Sequence, residues 1–159
     1  MRIGILSDTH DHLTMIDQAL AIFRQQGVEM LLHPGDVVAP FAAKRLLTWT
    51  GPLHIVYGNN DGERKGLKTL LPQIQDGPLL IDAGGRRILL HHSIDWCEPK
   101  DIAAADIIVT GHSHEIVNEL RDRKLYVNPG ECCGWVTGRG TIAVADTQQM
   151  SAEIIEVKP

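Results

Sequence analysis

The side chains best suited to hold metals and move protons fall in five short motifs. They are Ser7-Asp8-Thr9-His10, His33-Pro34-Gly35-Asp36, Gly58-Asn59-Asn60-Asp61, His91-His92-Ser93 and Gly111-His112-Ser113-His114. Their donors are carboxylate, amide oxygen and imidazole, with no thiolate. That mixture suits divalent first-row metals of intermediate softness: Mn, Fe, Co, Ni or Zn. It holds too much imidazole for calcium, or for magnesium alone. Seven donors (Asp8, His10, Asp36, Asn59, His92, His112 and His114) exceed what one tetrahedral ion uses. A pair of ions ~3.5–4 Å apart is the usual device for in-line displacement at phosphorus. Two divalent ions against two aspartates leave a net positive cluster, which attracts an anionic ester and does little for a neutral one.

Taken singly, each residue has an ordinary explanation. An Asp or Asn after a strand is usually a turn or cap residue, and a lone histidine is usually structural, which is the reading for His12, His54 and His91. His33 is divided between a core role and orienting a ligand. Asp11 and Asp61 fit loop-orienting or capping roles. Arg64 and Lys65 fit a solvated helix face, with phosphate contact by Arg64 a minor alternative. Cys132 and Cys133 receive no role. The joint occurrence of five motifs is what the ordinary reading does not cover.

Each motif follows an apolar run, at residues 3–6, 28–32, 53–57, 88–90 and 107–109. In open α/β sheets, sites form beyond the carboxyl ends of strands, so runs that share an end bring all five motifs together. Asp8 and His10 are two apart, as are His112 and His114, and in an extended segment that spacing puts both side chains on one face. Glycines at 35, 58 and 111 permit sharp turns.

The first half alternates these runs with helical periodicity. Leu13, Ile16, Leu20 and Phe23 recur at helix spacing, Thr14 and Asp17 resemble a capping box, and Gly27 is a stop. Pro40 can open a second helix, broken by Gly51-Pro52. Strand, helix, strand in this rhythm implies parallel pairing. The second half reads as short strands near 79–81, 86–90, 107–109, 116–120 and 125–127, then a hairpin of 141–145 with 152–157. Gly84-Gly85 makes a tight turn. This half is expected to contain much antiparallel pairing. The fold class is α/β, with two packed sheets and helices outside.

The 159 residues suit a single domain over 1–159. Apolar residues at 43% and charged residues at 22% are globular proportions. A net charge of −5 weighs against a nucleic-acid partner, although two divalent ions would bring it to −1. No run is long enough for a signal-peptide core or a bilayer span. Three cysteines, two of them adjacent, read as reduced thiols of a cytoplasmic protein. A homo-oligomer stays open.

The motifs, in this order, resemble the calcineurin-like metallophosphoesterase superfamily. Asp8-x-His10, Gly35-Asp36, Gly58-Asn59-x-Asp61, His92 and Gly111-His112-x-His114 match its blocks over nearly the whole chain. The length and the tail motif Asn128-Pro129-Gly130-Glu131-Cys132-Cys133-Gly134 narrow the resemblance to its small archaeal and bacterial phosphodiesterases. It implies a sandwich of two β-sheets flanked by helices. It implies that Asp8, His10 and His114 hold one metal, that Asn59, His92 and His112 hold another, and that Asp36 bridges them. It further implies in-line attack by a metal-bound hydroxide on a small phosphodiester. A phosphomonoesterase, a nucleotide phosphatase and a non-catalytic binding scaffold are the alternatives on the same fold.

Two positions depart from the family pattern. Many relatives carry a histidine, as leaving-group acid or phosphate contact, where this chain has Asn60. An amide hydrogen-bonds but does not act as a general acid near neutral pH. The usual His-Gly pair is His92-Ser93 here, preceded by His91. The register of the apolar run puts His92 at the ligand position, with His91 the lesser alternative.

Overall fold

The computed structural model describes residues 1–159. The first half runs β1 (Arg2–Ile5), α1 (Leu13–Gln25), β2 (Met30–His33), α2 (Pro40–Leu46), β3 (Leu53–Ile55) and α3 (Arg64–Leu70). The second runs β4 (Leu79–Ala83), β5 (Arg86–Leu90), a 3-10 turn (Ile94–Trp96), α4 (Pro99–Ala104), β6 (Ile107–Val109), β7 (Ile116–Arg121), β8 (Lys124–Pro129), β9 (Gly140–Asp146) and β10 (Ser151–Val157). No helix is long and apolar enough to cross a membrane.

The strands form two five-stranded mixed sheets, ordered β10-β9-β1-β2-β3 and β4-β5-β6-β8-β7. The apolar runs of the central strands β1, β2 and β6 are nearly continuous because both of their faces are covered, whereas the edge strands β4, β7 and β10 stay partly exposed. Alternate residues go to opposite layers. Ile3 and Ile5 of β1, with Met30 and Leu32 of β2, meet Ile88, Leu90, Ile107, Val109, Leu125 and Val127 between the sheets. Leu31 faces the other way, onto Ile16, Leu20 and Phe23 of α1 and Leu46 of α2. Leu89 and Ile108 face outward from the second sheet onto Ala105, Ile102 and Tyr126 beside α4. Each fully buried Leu or Ile contributes roughly 1.5–3 kcal/mol by leaving water. The order of layers is helices, sheet, sheet, helix, as the α/β sandwich expectation has it.

The parallel pairings set up the site. β1 pairs with β2 and β2 with β3 in parallel. In the second sheet β5 pairs with β6 and β6 with β8, also in parallel. The second half combines these with the antiparallel pairs β4–β5, β7–β8 and β9–β10, the antiparallel content expected of it. The crossover from β5 to β6 passes through the six-residue α4, too short to show a helical period in the sequence.

Local signals account for several boundaries. Gly84 and Gly85 both have positive φ, +57° and +75°, and close the β4–β5 hairpin. Pro40 opens α2 at its first position. The capping of α1 differs from expectation. Its N-cap is His12, whose Nδ1 accepts the Met15 N–H at 3.4 Å. Thr14 lies inside the first turn, so the capping-box spacing starts two residues too late.

Candidate metal centre

The loops after β1, β2 and β3 leave the first sheet beside those after β5 and β6 of the second. Backbone hydrogen bonds lash them together. Asp8 N–H donates to Gly35 O at 3.2 Å, His10 N–H to Asp36 O at 3.1 Å, and Gly111 N–H to His92 O at 2.9 Å. The Asp8 carboxylate reaches across and accepts His112 N–H at 3.1 Å.

These loops are not extended, contrary to the extended segments assumed for the two-residue spacings. Asp8, His10, Asp36, His112 and His114 all have left-handed φ, at 50°, 38°, 61°, 70° and 60°. Such turns cost a residue with a Cβ roughly 1–2 kcal/mol. Strain of this kind persists where surrounding contacts over-determine it, and it clusters at functional sites. Two of the three glycines also act otherwise than expected. Gly58 and Gly111 have ordinary φ; they permit close approach. A Cβ on Gly58 would collide with Asp36 Oδ1, and one on Gly111 with Ser7 Oγ and Asp8.

The polar atoms gather in two overlapping groups. One is Asp8, His10 and His114, with His114 Nε2 3.4 Å and His10 Nε2 3.9 Å from Asp8 Oδ1. The other is Asp8, Asp36 and His92, with His92 Nε2 3.6 Å from Asp36 Oδ2. Asp8 is common to both groups, and Asp36 also approaches the first, its Oδ2 lying 3.6 Å from His10 Nε2. Asn59 Oδ1 extends the second group: His92 Nε2 and His112 Nδ1 each approach it to 2.8 Å. Asp8, Asp36 and His92 are buried, while Asn59 and His112 are exposed and form the open side.

A cation fits this arrangement on three counts. His10 Nε2 is buried with no hydrogen-bond partner. His92 Nδ1 lies 2.7 Å from Pro34 O, which can only accept, so Nδ1 carries a proton and Nε2 is the nitrogen turned toward Asp36 and Asn59. His114 repeats the device: Nδ1 lies 3.1 Å from the Glu131 carboxylate, and Nε2 faces Asp8. Lone pairs turned toward oxygens need positive charge between them, either a proton or a metal ion. Fixing the remote nitrogen on a carbonyl or carboxylate is how ligand histidines are commonly oriented.

The electrostatics agree. Burial pushes the Asp8 carboxyl up, but hydrogen bonds from His114 and Ser7 and the neighbouring imidazoles outweigh it and hold its pKa below the usual value. The hydrogen bond to Asp8 raises the His114 pKa against the effect of burial.

Residues 1–150 match the family model described as the calcineurin-like phosphoesterase superfamily domain. The chain belongs to that superfamily. It is 38% identical over 157 residues to phosphodiesterase MJ0936 of Methanocaldococcus jannaschii, covering 94% of this chain and 95% of that protein. A solved structure of an archaeal phosphodiesterase matches with a TM-score of 0.85 at 35% identity, over 98% of this chain and 99% of that one. The phosphoesterase Yfce of E. coli shares the fold, with a TM-score of 0.76 at 22% identity over 99% and 100% of the two chains.

Within this phosphoesterase domain the remaining candidates take supporting places. Asp61 pins two loops: it accepts the N–H groups of Asp36 (3.0 Å), Gly58 (2.7 Å) and Val38 (2.7 Å). Asp11 accepts Ala39 N–H at 3.0 Å, at the start of α2. His33 contacts Thr9 Oγ1 at 3.2 Å and accepts Gly35 N–H at 3.2 Å, bracing the loops without touching a candidate ligand. His91 Nδ1 accepts His92 N–H at 2.8 Å, which leaves His92 as the inward ring. Arg64 is committed to the Tyr57 ring at 4.2 Å and to Asp76 at 2.8 Å. Asn60 donates its backbone N–H and its side-chain Nδ2 to the two Asp36 oxygens, both at 2.8 Å. Burial pushes the Cys132 thiol up to about 12 and the Cys133 thiol upward too, so neither is an activated nucleophile.

Glu131 is the main site residue missed by the strand-end reasoning. It is buried and collects donors from His114, Cys133, Val136 and Thr137. Burial raises its pKa, but these hydrogen bonds prevail and bring it down to about 2. Asn128 belongs to the same support, donating to Gly111 O at 2.8 Å and Ser113 Oγ at 3.1 Å. The available signal was the polar run that closes β8, a sixth strand end on the same side.

Proposed function

We propose that this phosphoric ester hydrolase is a metal-dependent phosphodiesterase, with residues 1–159 as one catalytic unit. Asp8, His10 and His114 hold one divalent ion; Asn59, His92 and His112 hold the other; Asp36 is shared. A bound pair of such ions supplies Lewis acidity and lowers the pKa of water to make a nucleophile at neutral pH. Mn, Ni, Fe, Co and Zn all suit this donor set. The observation that carries the reading is the orphaned His10 Nε2, 3.6 Å from Asp36 Oδ2, beside two imidazoles whose other nitrogens are already fixed.

The chain's own groups then have defined work. Glu131 and Pro34 O hold His114 and His92 in the tautomer that ligates. Asp61 fixes the Asp36 and Gly58 backbones. Asn60 orients the Asp36 carboxylate and stands at the open side, where its amide can donate to a phosphoryl oxygen but supplies no proton to a leaving group. Similarity to phosphodiesterase MJ0936 supports a diester substrate.

The test is hydrolysis of an aryl phosphodiester by protein reconstituted with Mn²⁺ or Ni²⁺. Asp36→Asn should lower kcat/KM by at least about 100-fold. Inactivity with every metal, or activity unchanged by that substitution, overturns the proposal. Stoichiometric metal with no turnover on any diester would favour the scaffold alternative.

A further inference from the structure

Trp96 is left unexplained by the metal centre. It ends the 3-10 turn that Ser93 caps immediately after His92. Its ring lies over the imidazoles, with centroids 5.5 Å from His92 and 5.3 Å from His112. Trp96 is nonetheless 47% exposed, and His112, which it packs against, is exposed as well. The other two tryptophans use their indole N–H within the chain, Trp49 on Pro52 O and Trp135 on His10 O. Trp96 makes no such bond. An exposed aromatic with a free donor, fixed by a short turn to a candidate ligand, is what a planar substituent needs for docking.

We infer that Trp96 is a specificity-determining residue, its open indole stacking a planar aromatic ester substituent, a nucleobase or aryl group, of the bound phosphodiester. This deepens the phosphodiesterase reading and rests on it. The phosphate is drawn to the cationic centre, and the substituent one ester link away lies against the indole. Stacking needs only a π-face, so the site discriminates aromatic from small alkyl esters more than one base from another.

The packing of Trp96 on the imidazoles admits a purely structural role, and the test separates the two. Dissociation constants are measured by calorimetry for adenosine 5′-monophosphate and for methyl phosphate on metal-reconstituted protein, and metal affinity is measured for each variant. The parent should bind the nucleotide more tightly. Trp96→Ala should lower that preference about tenfold, and Trp96→Phe should keep most of it. In a Trp49→Phe, Trp135→Phe background the nucleotide should quench the remaining tryptophan emission. Equal weakening of both ligands together with lost metal affinity overturns the inference, as does a parent that prefers methyl phosphate. Binding and quenching are read without turnover, so failure to hydrolyse any diester counts against the proposed reaction and not against stacking.

Discussion

The replacement Glu131→Gln tests the site through a residue outside the proposed metal ligands. In the native chain both carboxylate oxygens only accept. Oε1 takes Val136 N–H at 2.9 Å and Thr137 Oγ1 at 2.7 Å; Oε2 takes His114 Nδ1 and Cys133 Sγ, each at 3.1 Å, and shares the Val136 N–H at 3.1 Å. A glutamine must turn its NH2 toward one of these sets. The Val136–Thr137 side is crowded with donors, so the amide nitrogen goes to the His114 side. His114 Nδ1 must then accept, which moves the ring proton to Nε2 and blocks the lone pair aimed at Asp8. Losing such an orienting partner typically weakens metal binding about 10–100-fold, or about 1.4–2.7 kcal/mol. The assay is chelator competition with Mn²⁺ or Zn²⁺. A double-mutant cycle with His114→Ala completes it, because Glu131→Gln should have little further effect once the imidazole is gone. An affinity within twofold of the parent, or the same loss in both backgrounds, refutes the argument.

Three further outcomes follow from the same contacts. Without an acid at position 60, kcat across an aryl diester series should fall steeply as the leaving group becomes more basic, and Asn60→His should flatten that slope; a flat parent series contradicts the assignment. Gly58→Ala should lower Tm by the equivalent of about 1–3 kcal/mol and weaken metal binding, because the new Cβ meets Asp36 while Asn60 and Asp61 prevent that residue from yielding. Burial lowers the His33 pKa from 6.5 to about 4, so the unfolded chain takes up a proton before the folded one. His33's contribution to stability is complete above about pH 6.5 and declines as pH falls toward 4; His33→Gln should flatten the metal-free Tm over that window.

The sequence exposes its chemistry because parallel strands present their carboxyl ends together, so a donor after each apolar run is visible without coordinates. Asp8, Asp36, Asn59, His92 and His112 are legible for that reason. The supporting contacts are less so. Glu131 reaches His114 through a turn far along the chain, and its importance lies in accepting several donors at once, which composition and period do not encode. The left-handed turns at His10 and His114 are hidden too, because neither residue announces positive φ as glycine does. His12 as the α1 cap escaped notice because Thr14 offered the more familiar spacing. The parallel centre of the second sheet was obscured by a crossover helix of only six residues.

The division of donors between the sheets has a mechanical consequence. Asp8, His10, Asp36 and Asn59 leave strands of the first sheet, while His92, His112 and His114 leave strands of the second. Apart from loops and the hydrogen bond from Asn118 Nδ2 of β7 to Ala152 O of β10 at 2.7 Å, the two sheets are joined by side-chain packing, which resists separation better than sliding. Ions bound at their common edge would act as rivets. Loaded protein should therefore suppress shear between the layers, and amide exchange should slow along the facing strands well beyond the loops that touch the metal.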